Sequence, residues 1–121
     1  MAIISTAKYF TSAKDLSATS GGASGDVIYT CPANFISLIK FLHVSSGASS
    51  AKKYSLQFFE AATSTYHFII DEHSVAANGI EEVVEGGAFL ALAAGDKIIG
   101  FEESSSDFHV IISGEEHFQT A

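Results

Sequence analysis

Apolar and polar residues alternate with a period of two along most of the chain. This period is typical of β-strands, because successive side chains of a strand point to opposite faces of a sheet. Turn-forming dipeptides such as Asn78-Gly79 and Gly86-Gly87 separate the alternating stretches. The pattern predicts strands at residues 2–10, 26–31, 35–44, 52–61, 66–71, 80–85, 88–92, 97–103 and 107–113.

The spacing of these strands predicts the fold class. Strands of about five to eight residues that recur about every ten residues favour an antiparallel sandwich. The segment 88–94 is rich in alanine and leucine, which favour helix, but it is short and lies between two glycine turns. We therefore predict an all-β fold, an antiparallel β-sandwich of jelly-roll or Ig-like topology with about eight strands at residues 26–121.

The first 25 residues are predicted to form an extended N-terminal arm. Residues 2–10 are strand-like, whereas residues 17–25 form a Ser/Gly/Ala linker without periodicity. We expect this arm to pair with its own domain or with the edge of a neighbouring copy. Its removal is expected to leave a folded sandwich that no longer assembles. Ile3, Ile4, Tyr9 and Phe10 are the predicted contact residues of the arm.

The predicted strand 35–44 carries apolar side chains on both faces. Its even positions include Ile36, Leu38, Leu42 and Val44, and its odd positions include Phe41. An apolar surface of this kind is rarely left to solvent. We expect either the arm or another subunit to cover its second face.

Charge and composition narrow the possible functions of the 121-residue chain. Hydrophobic residues make up 47% and charged residues 17%, so the chain can bury a core and is not a disordered tail. Fourteen acidic residues, six lysines and no arginine give a net charge of −8. This charge repels nucleic-acid phosphates and anionic membranes. No apolar run approaches the roughly 18 residues of a membrane span, and the single Cys31 cannot form an internal disulfide.

The histidines and acid pairs do not form a recognisable catalytic or metal-binding motif. On a strand, His67 and Asp71 would lie about 13 Å apart along one face, too far to share a metal ion. Adjacent acids such as Glu81 and Glu82 point to opposite faces, and Cys31 alternates with core positions. We predict no enzyme activity, no cofactor and no metal site. A small metal or glycoside enzyme would require convergence of acids with at least two histidines from the set His43, His67, His73 and His109.

Three turn motifs carry a resemblance to a known group of proteins. They are Tyr29-Thr30-Cys31-Pro32-Ala33, Leu92-Ala93-Ala94-Gly95-Asp96 and Ser113-Gly114-Glu115-Glu116. Over residues 26–116 the chain resembles small tailed-bacteriophage virion proteins built on a β-sandwich. Their chains often read Tyr-Thr-Val-Pro-Ala-Gly, then Leu-x-Ala-Gly-Asp, then Ser-Gly-x-Glu. Here Cys31 replaces the usual valine, Asn34-Phe35 replaces the glycine turn, and the arm lies outside the match.

The resemblance implies a structural role in a virus particle, without catalytic residues. We expect a homo-oligomeric capsid decoration (cement) protein that is made in the bacterial cytoplasm and located in the virion. A trimer is one candidate assembly. The expected partners are further copies of the chain and the major capsid protein or other virion proteins. The alternative is a neck, tail or fibre-attachment component that binds host glycans through aromatic side chains.

Overall fold

The computed structural model describes residues 7–84 and 86–119. Within these ranges the chain forms nine strands and one short 3-10 turn at Gly22–Ser24. The strands are β1 (Lys8–Asp15), β2 (Asp26–Thr30), β3 (Phe35–Ser46), β4 (Lys52–Glu60), β5 (Thr65–Val75), β6 (Ile80–Val84), β7 (Leu90–Leu92), β8 (Lys97–Glu102) and β9 (Phe108–Phe118). The Ala/Leu-rich segment 88–94 thus contributes a short strand to the fold.

The strands form two antiparallel sheets. Sheet A has the strand order β1-β9-β3-β6, with β7 also pairing with β3, and sheet B has the order β2-β8-β4-β5. The apolar faces of the two sheets enclose one core, which includes Leu42, Leu56, Ile98, Phe108 and Ile112. The predicted antiparallel β-sandwich is confirmed.

A bulge in β3 changes which side chains face the core. The pairing of β3 with β9 shifts register between Ile39 and Phe41. Ile39, Leu42 and Val44 are therefore buried, whereas Ile36 and Phe41 are exposed. The prediction that Ile36 shares a face with Leu42 and Val44 is wrong, because a strict period of two does not allow for the extra residue of a bulge.

Gly114 on β9 lies directly opposite this bulge and pairs with Ile39. A Cβ atom at position 114 would overlap the carbonyl oxygen of Leu38. The absence of a side chain therefore allows the two backbones to approach. A glycine within a strand commonly marks such a bulge or close approach.

Strand β1 is an edge strand of sheet A and pairs with β9 along its whole length. The next residue, Leu16, is fully buried in the core. The Ser12 hydroxyl donates a hydrogen bond of 2.8 Å to the carbonyl oxygen of Ile28 on β2, which links the edges of the two sheets. The structure therefore revises the expected effect of deleting residues 1–25, because the deletion would remove a strand and a core side chain.

The linker that follows Leu16 packs against the outer face of sheet B. A Cβ atom on Gly21 would come within 2.6 Å of the Phe101 ring, and one on Gly25 would overlap Ile99. The Asp26 carboxylate accepts hydrogen bonds from the backbone N–H groups of Ser17 and Ala18, at 2.6 and 2.9 Å. Desolvation raises the pKa of Asp26, but these bonds and nearby Lys14 outweigh it, so the net shift is downward. The glycines of the linker thus allow it to pack closely against the outer face of sheet B.

Candidate interaction surfaces

The structure describes two of the four predicted contact residues of the arm. Tyr9 is 87% exposed and projects from β1, on the outer face of sheet A. Phe10 points inward and stacks on Tyr29 at a centroid distance of 4.4 Å, so it contributes to internal packing. Ile3 and Ile4 lie outside the described residues.

The outer face of sheet A exposes large apolar side chains on three adjacent strands. Besides Tyr9 on β1, these are Ile36 (37% exposed) and Phe41 (36%) on β3 and Ile111 (38%) on β9. A groove of about 300 Å³ lies beside Tyr9, which forms part of its wall together with Phe10, Thr11, Lys40, Ser113, Gly114 and Glu115. We call this surface the sheet A patch and its depression the Tyr9 groove.

Acidic groups on the outer face of sheet A have basic partners. Glu115 contacts Lys40 at 2.6 Å and His117 at 3.0 Å. The hydrogen bond from Lys40, followed by that from His117, holds the pKa of Glu115 below its usual value. Two further pairs link neighbouring strands of the same sheet, His43 with Glu82 at 2.6 Å and His109 with Asp15 at 2.7 Å.

The outer face of sheet B carries an aromatic cluster from three neighbouring strands. Phe59 contacts Tyr66 at a centroid distance of 4.7 Å, and Phe68 lies 6.3 Å from Phe101. The Lys97 ammonium lies 5.4 Å from the Phe59 ring centroid, within the range of a cation–π contact. Phe68 is the most exposed member of this sheet B cluster, at 52%.

The structure separates the histidines that a metal or glycoside enzyme would need. His43 and His109 lie on sheet A, whereas His67 and His73 lie on β5 of sheet B. His67 contacts Glu60 at 3.3 Å and His73 contacts Glu81 at 2.7 Å. Among residues 7–84 and 86–119, no three His, Cys, Asp or Glu side chains are arranged to hold a metal ion.

Two buried tyrosines connect the sheets through hydrogen bonds to glutamates. Tyr29 on β2 donates to Glu116 on β9, and Tyr54 on β4 donates to Glu81 on β6. Each bond therefore joins sheet B to sheet A. Burial raises the pKa of both tyrosine hydroxyls, and the neighbouring carboxylates raise it further.

Cys31 belongs to the polar network around Tyr29. Its thiol is buried and lies 3.1 Å from the Ser37 hydroxyl, which is 2.7 Å from the Tyr29 hydroxyl. Burial raises the pKa of the Cys31 thiol, although the hydrogen bonds to Ser37 act in the opposite direction. A thiol held protonated is a poor nucleophile, in line with the structural role predicted for this residue.

The motif Leu92-Ala93-Ala94-Gly95-Asp96 forms the tight turn between β7 and β8. The buried Asp96 carboxylate accepts 2.9 Å hydrogen bonds from the backbone N–H groups of Ala61 and Ala93. Gly95 has a φ of +89°, a conformation that glycine adopts readily. The motif therefore fixes its own turn and also holds the end of β4 next to it.

Glu102 has a similar role in the loop between β8 and β9. Its buried carboxylate accepts 3.1 Å hydrogen bonds from the backbone N–H groups of Asp107 and Phe108. Burial raises the pKa of Glu102, and the two hydrogen bonds lower it, with a net upward shift. The acid pair Glu102-Glu103 thus includes one member with a structural function.

Alternation along the sequence places Phe41 on a second apolar face but does not group it with Ile36 and Ile111. That grouping depends on the bulge at Lys40 and on the pairing of β3 with β9. Gly114 was the available signal, because a glycine within a strand commonly marks a bulge or a close backbone approach. The position of the bulge in the partner strand could not be derived from that glycine alone.

No helix in the described part of the chain has the length and apolar character needed to cross a membrane. No protein-family model matches the sequence. A search of curated proteins also yields no match. Among solved structures, the chain is similar to the globular domain of zebrafish complement 1qA protein, with 15% sequence identity and a TM-score of 0.44 over 93% of this chain and 97% of that one.

Proposed function

We propose that this chain is a non-enzymatic structural protein of a bacteriophage particle. Its role is that of a capsid decoration (cement) protein that stabilises the assembled shell through oligomeric contacts. The observation that carries the proposal is the exposure of Tyr9, Ile36, Phe41 and Ile111 on adjacent strands of one sheet. Several large apolar side chains exposed on one face of a folded domain are typical of a protein-interaction site.

The architecture suits attachment to a preformed surface. Each outer face consists of paired strands, so its backbone is ordered before contact and no loop has to lose conformational entropy on binding. The net charge of −8 disfavours direct contact with packaged DNA. The partners are further copies of the chain and the major capsid protein or other virion proteins.

The turn motifs shared with tailed-phage virion proteins support the same role. In this chain the Leu-x-Ala-Gly-Asp motif positions the Asp96 carboxylate between two loops. The motif therefore stabilises a fold, as expected of a protein whose function is to provide a rigid surface.

A reconstitution experiment tests this proposal. Purified protein is added to phage shells that lack it, and binding is measured by co-sedimentation and by the melting temperature of the shell. We expect binding that saturates and a higher melting temperature. Shells already saturated with the protein serve as the control. Absence of the chain from the proteins identified by mass spectrometry in purified virions would contradict the proposal.

The sheet B cluster favours a second candidate, a neck, tail or fibre-attachment component that binds glycans. Exposed aromatic rings can stack on the C–H faces of sugars. Cell-surface polysaccharide from the bacterial host is titrated into the protein, and amide chemical shifts are recorded. This candidate requires shifts around Phe68 that Phe68→Ala removes and Phe41→Ala retains. If the spectrum does not change at saturating polysaccharide, the candidate is rejected.

A further inference from the structure

The sheet A patch combines a projecting aromatic side chain with an adjacent depression. Tyr9 is 87% exposed, and the Tyr9 groove of about 300 Å³ lies directly beside it. A symmetric contact between two identical subunits uses the same surface on both partners. Such a contact needs a projection and a complementary depression on one face, and the sheet A patch contains both.

The apolar content of the patch extends beyond Tyr9. Ile111 lies on β9, between β1 and β3, and pairs with Ala13 on one side and His43 on the other. Phe41 stacks on the His43 ring at a centroid distance of 5.8 Å. Exposed apolar side chains therefore occur on each of the three strands, with Ser113 and Glu115 of β9 between Tyr9 and the others. Burial of apolar surface contributes about 25 cal/mol per Å².

Electrostatics favour this face for contact between copies of the chain. Two molecules that each carry a charge of −8 repel one another, so contact is least disfavoured at a face where the acids already have hydrogen-bond donors or a lysine beside them. On the outer face of sheet A, Asp15, Glu82 and Glu115 each contact a histidine, and Glu115 also contacts Lys40. A carboxylate that already has a hydrogen-bond donor pays a smaller desolvation free energy when a second surface displaces its water.

The edge of sheet B is less suitable for the same purpose. Strand β5 exposes Asp71 and Glu72 in succession. Charged side chains on an edge strand oppose pairing with another molecule, and here they would face the same acids in a second copy. This charge disfavours the β5 edge as a surface for self-association.

We infer that the outer face of sheet A is the interface between copies of this chain, with Tyr9 of each copy inserted into the Tyr9 groove of the other. The inference rests on the proposed role as a self-assembling structural subunit and names the surface that performs it. The occupant of the patch is a second copy of the chain, in a contact that buries Phe41 and Ile111 together with Tyr9.

Matched double variants of the full chain test the interface. The interface variant carries Tyr9→Ser and Ile111→Thr. The control variant carries Phe68→Ser and Val27→Thr, which replace an exposed aromatic and an exposed aliphatic side chain by polar ones on the outer face of sheet B. Circular dichroism and thermal melting establish that both variants fold. Sedimentation velocity over a concentration series gives the dissociation constant of self-association.

The wild type and the control variant are expected to associate with similar dissociation constants. The interface variant is expected to associate about 100-fold more weakly, as for the loss of two central contacts. Equal weakening of both variants, or no weakening of the interface variant, would overturn the inference.

A wild-type chain that stays monomeric at about 1 mM would also overturn the inference, because association would then be weaker than about 4 kcal/mol. That result would not contradict the proposed virion function, which the mass spectrometry and shell-binding experiments test. The interface and the function can therefore be rejected independently. Should the interface variant not fold, Tyr9→Ser alone replaces it, since Tyr9 is 87% exposed and contributes little to the core.

Discussion

Gly114 is the residue on which the shape of sheet A depends most directly. It lies opposite the bulge in β3, where a Cβ atom would overlap the Leu38 carbonyl oxygen. The bulge in turn places Ile39 in the core and Phe41 on the surface. A single position without a side chain thus determines which side chains of β3 are available for contact.

Gly114→Ala is therefore expected to destabilise the fold strongly. The added methyl group must displace backbone, and overpacking of this kind costs about 3 kcal/mol or more. Urea denaturation followed by circular dichroism measures the change. Gly47→Ala is the matched control, because the nearest atom to its Cβ would be 3.6 Å away, an ordinary contact distance. Similar losses in both variants would argue against a specific role for Gly114.

Asp96 shows how one carboxylate can organise two loops. It accepts backbone hydrogen bonds from Ala61, after β4, and from Ala93, before β8. Asp96→Ala would leave both backbone donors without this partner, at a cost of about 3 kcal/mol in the free energy of unfolding. Chemical denaturation measures this cost, with Asp71→Ala on the exposed surface of β5 as the control. A loss no larger than that of the control would contradict the assigned role.

At the level of the strands, the two Tyr–Glu hydrogen bonds join sheets that otherwise meet through apolar side chains. Tyr29 bonds to Glu116 between β2 and β9, and Tyr54 bonds to Glu81 between β4 and β6. The bonds therefore lie in different strand pairs of the sandwich. Hydrogen bonds have strict geometry, so they specify the position of one sheet over the other more narrowly than apolar packing does.

Tyr29→Phe and Tyr54→Phe are each expected to lower the free energy of unfolding at pH 7 by about 1–3 kcal/mol, because each removes the hydroxyl that donates to a carboxylate of the other sheet. Urea titrations provide the measurement. The control is Tyr66→Phe, which removes a hydroxyl from the outer face of sheet B and is expected to have an effect below about 0.5 kcal/mol. Indistinguishable unfolding of all three variants would contradict the proposed connection between the sheets.

The raised pKa of the same two tyrosines predicts that the fold becomes less stable at alkaline pH. Burial and the adjacent carboxylates raise the pKa of Tyr29 and Tyr54 in the folded state. Their stabilising contribution is thus complete below the unfolded-state pKa, which is about 10. Above it, the unfolded chain releases protons that the folded chain retains, so stability decreases with rising pH. In urea titrations from pH 8 to pH 11, the double Tyr→Phe variant is expected to show a shallower decrease than the wild type.

The sequence predicted the sandwich and the approximate positions of strands β2 to β9, because alternation and turn residues are local signals. The first strand was predicted at residues 2–10, but within the described residues it is Lys8–Asp15. The sequence could not predict features that depend on a partner strand. Strand β9 extends to Phe118 since it pairs with β3 as far as Phe35, whereas the polar residues after Ser113 suggest a loop. The bulge at Lys40 and the histidine–carboxylate pairs arise for the same reason, from register between strands distant in sequence.

For the molecule as a whole, the central question is how the N-terminal segment contributes to folding and to assembly. Residues 8–15 complete sheet A as β1, and Leu16 fills the core. The same strand presents Tyr9 to solvent. One short segment therefore serves both the stability of a single copy and the proposed contact between copies, and a deletion at the N-terminus must be placed carefully to separate these effects.

Two truncations separate the effect of the N-terminal segment on folding from its effect on assembly. Removal of residues 1–16 would expose the edge of β9 and delete a buried leucine, whose truncation to alanine alone costs about 2–5 kcal/mol. Since a small domain is stable by about 5–15 kcal/mol, we expect this truncated chain to lose its cooperative thermal transition. Removal of residues 1–7 keeps β1 and Leu16, and its melting temperature is expected to change by only a few degrees.

The shorter truncation also tests Ile3 and Ile4, which remain predicted contact residues. If they contribute to assembly, the chain without residues 1–7 folds but associates more weakly than the wild type in sedimentation velocity. If association is unchanged, the contact surface begins at β1 and consists of Tyr9 and the exposed side chains of β3 and β9. A cooperative transition at the wild-type temperature after removal of residues 1–16 would instead show that β1 is dispensable, against its assigned place in the sandwich.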